Sequence, residues 1–432
     1  MNVYVAQPGD TIETIAAGFG VSVDQLIQDN ELANAYSLVP GQTIIVTYPE
    51  QAYIVQEGDT IPGIANLFGI PQIQLLRNNP FLAGREYINP GERLVISFGI
   101  QREITTNGYT YPYINMHTLN KTLPYLTYLS VFNYTTARRG EIITYYDDTD
   151  VIQAAREYGT TPLMVLTTLS PTGEQDLATA YDVLLNDAYQ EQHINNILNI
   201  IHEKGYYGIN LVTGNISSTN LSLYETFFSN LSARLFNEEY LFFLTINPEV
   251  NYTEGEVTFQ EIDYSRLQPL VSGFIFMDLD WGSNYGPPLP VTSYHAIRTH
   301  LDYAINLVTP DTTSIGLELL GYDWEMPYTP SASRAHALTL ASAVTLAHDT
   351  GVQIQFDEDS QTPFFNYNQL EYGIEVAHVV WFVNGVTINA MVSLVEEYNL
   401  GGIAIWNIMV YSAQLWLIIN SQFNIIKYLP VL

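Results

Sequence analysis

The segment Gly205-Tyr-Tyr-Gly-Ile-Asn-Leu-Val-Thr-Gly-Asn215 has the pattern of a buried parallel β-strand. It is short, apolar and β-branched, and glycines stand near both of its ends. Apolar residues at helical spacing precede it over 187–204 and follow it over 221–235, so a strand at Tyr207–Thr213 would lie between two helices. This alternation predicts one βα unit of a parallel sheet. The chain has no Asp or Glu between Glu203 and Glu225.

The same alternation continues from about residue 99 to the end of the chain. Eight short apolar or aromatic runs are separated by helical segments, which fits an α/β fold of the TIM type, a (β/α)8 barrel. The predicted strands are Tyr109–Asn115, Leu126–Tyr134, Pro162–Leu169, Tyr207–Thr213, Tyr240–Ile246, Gly273–Leu279, Ser314–Leu320 and Gly402–Trp406. Further helices are predicted at Asp150–Tyr158, His295–Leu307, Ser331–Thr350 and Ile388–Tyr398. We expect residues 99–432 to form the barrel, with a small insertion around 353–383.

An internal repeat precedes the barrel. Tyr4-Val-Ala-Gln-Pro-Gly-Asp-Thr-Ile12 returns as Tyr53-Ile-Val-Gln-Glu-Gly-Asp-Thr-Ile61, and Pro40-Gly41 returns as Pro90-Gly91. In each copy a threonine is a good helix cap, and Pro-Gly marks a turn into a closing strand. Residues 1–49 and 50–98 are therefore predicted to form two small βααβ modules.

Charge limits the classes of partner. The 432 residues include 14 Lys and Arg against 45 Asp and Glu, a formal net charge of −31. Phosphate groups are bound by cationic side chains, so nucleic acid is excluded as a partner and an anionic membrane is disfavoured. Solubility is one explanation of this charge, and calcium-dependent packing is another, because the acidic runs 147–150 and 357–359 offer oxygen ligands. The histidines show no metal-ligand spacing, so no other metal or cofactor is expected.

Targeting signals are also missing from the sequence pattern. The chain has no cysteine, which excludes disulfides and thiolate metal ligands. No apolar run is long enough to span a bilayer, and the N-terminus lacks the basic and apolar regions of a signal peptide. We expect synthesis in a cytoplasm, with any surface location reached by another route.

The two repeats resemble LysM modules, which bind N-acetylglucosamine-containing glycans such as peptidoglycan and chitin. The resemblance rests on the opening Tyr-x-Val-x-x-Gly-Asp-Thr, with Ala6 in place of valine in the first copy. In that family the sugar lies between the first strand–helix loop and the second helix–strand loop. The resemblance implies glycan-binding residues at Gly9, Asp10, Thr11, Asn30, Gly58, Asp59, Thr60 and Asn79. A structural role in turns and caps is the alternative for each of them.

The large domain resembles the barrel of glycoside hydrolase family 18. Over its whole length the chain resembles spore-cortex-lytic N-acetylglucosaminidases, which carry two LysM modules. Besides 205–215, the motifs are Gly108-Tyr-Thr-Tyr-Pro112, Gly321-Tyr-Asp-Trp324, Val380-Trp-Phe382 and Gly401-Gly-Ile-Ala-Ile-Trp406.

The resemblance also implies a chemistry. In family 18 a glutamate protonates the leaving oxygen, while the substrate's own acetamido oxygen, oriented by an aspartate and a tyrosine, attacks the anomeric carbon. The D-x-D-x-E motif of the family falls on Asn210, Val212 and Gly214, and the tyrosine falls on Leu279. Because hydrolysis needs a proton donor, we expect this chain not to be an enzyme.

Other residues are compatible with sugar binding or cleavage in the cleft of the barrel. In the family, a tryptophan on the eighth strand forms the floor of the subsite for the reacting sugar, and this tryptophan matches Trp406. A role in the barrel core is the alternative for Trp406. Four acids lie near predicted strand ends, where a barrel places functional groups, so a displaced acid is conceivable. These acids are Asp278, Asp280, Glu318 and Asp323.

The leading prediction is a non-catalytic glycan-binding protein, a pseudo-glycosidase, of a bacterial spore or cell surface. Its partner would be an N-acetylglucosamine-containing glycan. One alternative is a self-assembling structural protein that associates with itself or with spore-coat proteins. The other alternative is a residually active N-acetylglucosaminidase that uses a displaced acid.

Overall fold

The structure is a computed structural model that describes residues 1–168, 176–213, 216–248, 250–253, 256–277, 284, 286–371 and 373–430. Within these residues, no helix combines the length and the apolar character needed to cross a membrane.

Eight parallel strands form the centre of the molecule. The first strand pairs with both the second and the eighth, which closes the sheet into a barrel. The strands are Glu103–Thr110, Tyr128–Thr136, Thr161–Thr167, Gly208–Thr213, Leu241–Ile246, Gly273–Phe276, Thr313–Glu318 and Gly402–Trp406. The predicted (β/α)8 fold is confirmed.

Helices cover the outside of the barrel and bury their apolar faces in the largest hydrophobic core. They are Met116–Thr122, Thr149–Glu157, Leu177–Leu184, Asp187–Lys204, Leu221–Asn237, Tyr294–Ala304, Gly385–Glu397 and Ala413–Asn420. The helix before the fourth strand starts at Asn186, whose side chain accepts two backbone hydrogen bonds, and ends at Gly205 with φ 77°. Glycine adopts this left-handed conformation without steric conflict, so it stops the helix and turns the chain into the strand.

The first barrel strand lies about six residues before its predicted position at Tyr109–Asn115. Asn115 instead caps the helix Met116–Thr122, because its Oδ1 accepts hydrogen bonds from the backbone N–H groups of His117 and Thr118. The aromatic residues of 111–115 therefore form the loop after the strand, at the carboxyl end of the barrel.

A five-stranded antiparallel sheet is inserted between the seventh and eighth barrel strands. It begins well before the predicted insertion of 353–383, at Gly321. Its strands are Gly321–Met326, His336–Leu338, Gln355–Asp357, Thr362–Glu371 and Ile374–Trp381. The helix predicted at Ser331–Thr350 is shorter, Leu340–Thr350, because Thr339 caps it and residues 336–338 are a strand.

Each N-terminal repeat folds as a βααβ module with its own small core. Thr11 and Thr60 cap the first helices, accepting hydrogen bonds from the backbone N–H groups of Thr14 and Gly63. The first module comprises Asn2–Val5, Ile12–Phe19, Val23–Asn30 and Thr43–Val46. The second comprises Gln51–Ile54, Ile61–Phe68, Gln72–Asn78 and Arg93–Ser97.

Both modules pack against the barrel through buried polar contacts. In the first module, Oγ1 of Thr43 donates to Gln414 at 2.7 Å and accepts from the backbone N–H of Gly385 at 3.1 Å. In the second module, the buried Arg77 donates to the carbonyl oxygen of Ile425 at 3.1 Å, near the start of the first barrel strand. The two modules therefore contact the barrel through separate sets of residues, and both reach the helix Ala413–Asn420.

Candidate active site

A polar network fills the inside of the barrel. Asn210, on the fourth strand, donates from Nδ2 to the hydroxyl of Tyr109 at 2.9 Å and to Oγ of Ser130 at 3.0 Å. Its Oδ1 accepts a hydrogen bond from Thr245 at 2.7 Å. Burial raises the pKa of Tyr109 to about 12, so this phenol stays protonated near neutral pH. The first position of the replaced D-x-D-x-E motif is therefore a neutral amide, which forms hydrogen bonds with side chains from three other barrel strands.

The Asn210→Asp variant is expected to be less stable than the wild type at neutral pH by about 1–3 kcal/mol. The substitution replaces a donor with an acceptor and buries a charge. Burial raises the pKa of the new carboxyl group, so the deficit should shrink as the pH falls and that group is protonated. Urea denaturation at about pH 7 and about pH 4 measures both effects. Asn199→Asp, at an exposed helix position, is the control; equal stability of N210D and wild type would contradict the argument.

An apolar cluster adjoins the network. Val212 lies one inward position closer to the carboxyl end of its strand than Asn210 and is buried. The second position of the motif therefore presents methyl groups to the cleft. The cluster comprises Tyr109, Val165, Val212, Ile275, Met277 and Ala404, with Phe132, Phe243 and Trp406 partly buried against it.

Four residues singled out in the sequence lie outside the described residues. They are Gly214, Asp278, Leu279 and Asp280. Their roles stay predictions.

A row of aromatic rings leads from the cluster to the surface. Trp406 ends the eighth strand, and its ring centroid lies 5.4 Å from that of Tyr109 and 6.3 Å from that of Tyr111. Tyr111 stacks on Tyr113 at 5.3 Å, and Tyr113 meets Tyr146 at 5.2 Å. Tyr113 and Tyr146 are 59% and 53% exposed. The row therefore runs from the half-buried Trp406 at the mouth of the barrel out to solvent.

The seventh strand brings a carboxylate to the same mouth. Glu318 is the acidic one among the eight residues that end the barrel strands, and it pairs in register with Trp406. Gly316 faces the inside, since a Cβ built on it would lie 2.5 Å from Met277. Side chains alternate along a strand, so Glu318 shares this inward direction. It is half-buried, and Tyr322 donates a hydrogen bond to its Oε1 at 3.1 Å.

Asp323, another of the acids predicted near strand ends, lies in the inserted sheet. Its Oδ2 accepts a hydrogen bond from Tyr367 at 2.7 Å, and its Oδ1 is 3.0 Å from Nδ1 of His378. Both oxygens therefore serve contacts that join three strands of that sheet.

In each N-terminal module the aspartate of the repeated Gly-Asp-Thr holds the first loop. Asp10 accepts hydrogen bonds from the hydroxyl of Tyr4 at 2.6 Å and from the backbone N–H of Gln7 at 2.7 Å, and these bonds lower its pKa. Asp59 makes the matching bonds in the second module. The loops that these acids support turn at Gly9 and Gly58, with φ 92° and 89°, and are exposed.

Asn30 and Asn79 are buried. Nδ2 of Asn79 donates to the carbonyl oxygens of Leu75 at 2.9 Å and Val95 at 2.8 Å, and its Oδ1 accepts from the backbone N–H of Val95 at 2.8 Å. Asn30 makes the same three bonds in the first module. Each asparagine thus ties the second helix to the closing strand. The glycan-binding roles inferred for the eight residues of the two modules stay predictions.

Asn79→Ala is expected to lower the free energy of unfolding by about 1–3 kcal/mol, because it leaves buried backbone groups without partners. Thermal unfolding followed by circular dichroism measures this loss. Gln72→Ala, exposed on the same helix, is the control. Equal unfolding midpoints for N79A and wild type would contradict the structural role. Loss of glycan binding by N79A while it is still folded would instead support contact with sugar.

A cavity of about 160 Å³ lies where the first module meets the barrel. Its walls include residues of 30–43, residues of the helix Leu340–Thr350, and Leu319 and Asn407, which directly follow the seventh and eighth strands. The first module therefore approaches the mouth of the barrel on the side of Glu318 and Trp406.

The two acidic runs have structural partners. Asp148 in the first run is fully buried, and Asp357 in the second accepts hydrogen bonds from the backbone N–H and Oγ of Ser360, closing a turn. Across the described part of the chain, no three His, Asp or Glu residues come together as a metal site. Calcium binding stays a prediction.

Comparison with known proteins identifies the two parts of the chain. The LysM domain profile matches residues 4–47 and 53–97, and the profile "Glycosyl hydrolases family 18" matches residues 111–409. The chain belongs to glycosyl hydrolase family 18. Two LysM domains, modules that bind glycans, precede its family 18 barrel.

Relatives match over almost the full length. A cortical fragment-lytic enzyme from Bacillus subtilis is 32% identical over 435 residues, which covers 99% of both chains. A protein of the same name from Bacillus anthracis is 30% identical with the same coverage. The crystal structure of the spore cortex-lytic enzyme SleL from Bacillus megaterium matches with a TM-score of 0.80 at 27% identity, covering 99% of both chains.

The prediction that the chain is not an enzyme, and with it the description as a pseudoenzyme, is contradicted by this comparison. The relatives that align over 99% of the chain are named lytic enzymes. The replaced motif at Asn210 and Val212 is therefore not enough to assign the chain a purely binding role.

Proposed function

We propose that this protein cleaves N-acetylglucosamine-containing glycan of spore-cortex peptidoglycan, at the mouth of its barrel. The names of the full-length relatives support this substrate and a location in the spore. The proposal takes up the glycosidase with a displaced acid, the last of the alternatives that the sequence left open.

The observation that carries the proposal is the combination of an aromatic row and a carboxylate at one opening. The row from Trp406 to Tyr146 offers flat aromatic faces, and its two outer rings, Tyr113 and Tyr146, are exposed to solvent. Sugar rings have apolar C–H faces and polar rims, so they pack on such rings while their hydroxyls stay in water. Glu318 lies beside Trp406, where a bound sugar would place its glycosidic bond within reach of an acid.

The two LysM domains would attach the protein to the glycan. Two weak binding modules joined to one barrel raise the local concentration of the glycan at the third site. The first module borders a cavity that also touches the residues after Glu318 and Trp406. A glycan held by that module would therefore lie close to the opening. The net charge of −31 suits a neutral sugar backbone better than a polyanion.

The test uses the full-length protein and purified spore-cortex peptidoglycan. After incubation and centrifugation, protein and reducing ends are measured in both fractions. We expect protein in the pellet and a time-dependent rise of reducing ends in the supernatant. Cellulose, which lacks the acetamido group, is the control and should show neither effect.

Two results would contradict the proposal in different ways. Protein in the pellet without new reducing ends would contradict cleavage. Protein that stays in the supernatant would contradict glycan attachment as well.

Self-association and binding to spore-coat proteins remain proposals that rest on composition. Sedimentation velocity over a range of protein concentrations, with and without calcium, tests the first of them. A monomer under all these conditions would contradict it.

A further inference from the structure

We propose that Glu318 is the proton donor of the barrel. The proposal rests on the proposed function, since it names the acid for that cleavage. The first two positions of the D-x-D-x-E motif hold a buried amide, Asn210, and a buried isopropyl group, Val212. Neither side chain can protonate a leaving oxygen, so cleavage needs an acid elsewhere in the barrel.

The position of Glu318 supports this role. A donor must reach the glycosidic oxygen from the wall of the cleft, and barrel enzymes place such groups at the carboxyl ends of strands. Glu318 ends the seventh strand and points inward, by the alternation that places Gly316 against Met277. The backbone N–H of the next residue, Leu319, donates to the carbonyl oxygen of Trp406 at 3.1 Å. The carboxyl group and the indole are therefore held side by side.

The surroundings of Glu318 support an oriented carboxyl group. The hydroxyl of Tyr322 donates to Oε1 at 3.1 Å. Burial, together with the nearby Glu318 carboxylate, raises the pKa of Tyr322, so this hydroxyl stays protonated. A hydrogen bond at one carboxylate oxygen fixes the plane of the group, and with it the direction in which a proton on the group can be given to the substrate.

The step is balanced with water as the co-reactant. Glu318 gives its proton to the glycosidic oxygen while the bond from that oxygen to the anomeric carbon breaks, and the bonding electron pair stays on the leaving oxygen. The substrate's acetamido oxygen forms a bond to the anomeric carbon. Water then attacks that carbon, the bond to the acetamido oxygen breaks, and the water proton passes to the Glu318 carboxylate. The acid is restored, and one glycosidic bond has been hydrolysed.

Glu318→Gln tests this role, because glutamine keeps the size and the acceptor for Tyr322 but has no proton to give. Two substrates separate acid catalysis from structure. Cortex fragments have a sugar leaving group that needs protonation, whereas a dinitrophenyl N-acetylglucosaminide has a leaving group that departs as a stable anion. Because kcat/KM covers only the steps up to cleavage of the glycosidic bond, we expect E318Q to lose about 10²- to 10⁴-fold in kcat/KM on cortex fragments and less than about 10-fold in kcat/KM on the dinitrophenyl glycoside. Its kcat should fall on both substrates, because no carboxylate remains to accept the water proton in the second step.

Glu325→Gln, which removes an exposed carboxylate from the adjoining strand, is the matched control and should behave as the wild type. Wild-type kcat of E318Q on cortex fragments would overturn the assignment and leave the proposed function intact. Equal losses in kcat/KM on both substrates with a lowered unfolding midpoint would also overturn it, because they indicate a structural role. A wild-type protein that cleaves neither substrate would overturn the proposed function itself, and this assignment with it.

Discussion

Asp148→Ala is expected to lower the free energy of unfolding by about 3–5 kcal/mol, because it leaves two buried phenols without their acceptor, at about 1–3 kcal/mol each, and removes the ion pair with Lys204. The Asp148 side chain is fully buried, and its Oδ2 accepts hydrogen bonds from the hydroxyls of Tyr134 and Tyr206, both at 2.5 Å. Nζ of Lys204 lies 3.0 Å from its Oδ1. Alanine would leave an ammonium group and two phenols near the barrel wall without this acceptor. Urea denaturation followed by tryptophan fluorescence measures the loss.

Asp150→Ala is the matched control, because this carboxylate of the same acidic run is exposed, and it should change the free energy of unfolding by less than about 1 kcal/mol. The effect at position 148 should also depend on pH. Burial alone would raise the pKa of Asp148, but the bonds from Tyr134, Tyr206 and Lys204 hold it below its ordinary value of 3.8. The ionised Asp148 therefore stabilises the fold above pH 3.8, and this stabilisation is lost as the pH falls through the lowered pKa of Asp148. A constant difference between D148A and wild type down to strongly acidic pH would contradict this account.

Asp148 also shows where sequence reasoning reached its limit. The run 147–150 was compatible with a solvated loop or with calcium ligands, since adjacent carboxylates suggest both. The partners that decide its role, Tyr134 and Tyr206, come from distant segments and meet Asp148 only when the barrel has closed around them. No local pattern contains that information.

Elements with strong periodicity were predicted well. The fourth strand, observed at Gly208–Thr213, and the helix Asp187–Lys204 match their predictions almost residue for residue, because glycine and an N-cap mark their ends. The first strand was misplaced because aromatic residues of 111–115 resemble strand residues. They lie instead in the loop that forms part of the aromatic row.

The roles of the two residues at the mouth of the barrel stay predictions. Glu318 is singled out by its place near the end of a predicted strand, and Trp406 by the resemblance to family 18. Their adjacency follows from the register between the seventh and eighth strands, which the sequence does not specify. For Asn30 and Asn79 a usable signal existed, since each stands at the end of a helix in a module too small to bury an amide without bonding it.

Trp406→Ala is expected to reduce kcat/KM on cortex fragments by about 10- to 100-fold, or about 1.4–2.8 kcal/mol, as for a buried aromatic anchor in a binding site. The indole is half-buried, and its ring contacts Tyr109, Tyr111 and Phe132 at centroid distances of 5.4–6.3 Å. Removing it takes away the platform for the sugar nearest to Glu318. Most of the loss should fall on KM, because the acid stays in place. Initial rates over a range of fragment concentrations separate the two parameters.

Trp416→Ala is the matched control for the loss of a packed indole. Trp416 stacks on Tyr125 at 5.0 Å, and Tyr125 precedes the second barrel strand, at the amino end of the barrel. It should lower the unfolding midpoint without reducing kcat/KM of the folded protein. Trp406→Phe should fall between wild type and W406A, because a smaller ring keeps part of the stacking face. If W416A and W406A lost activity equally, the effect at 406 would be one of stability, and the row from Trp406 to Tyr146 would have no role in holding the glycan.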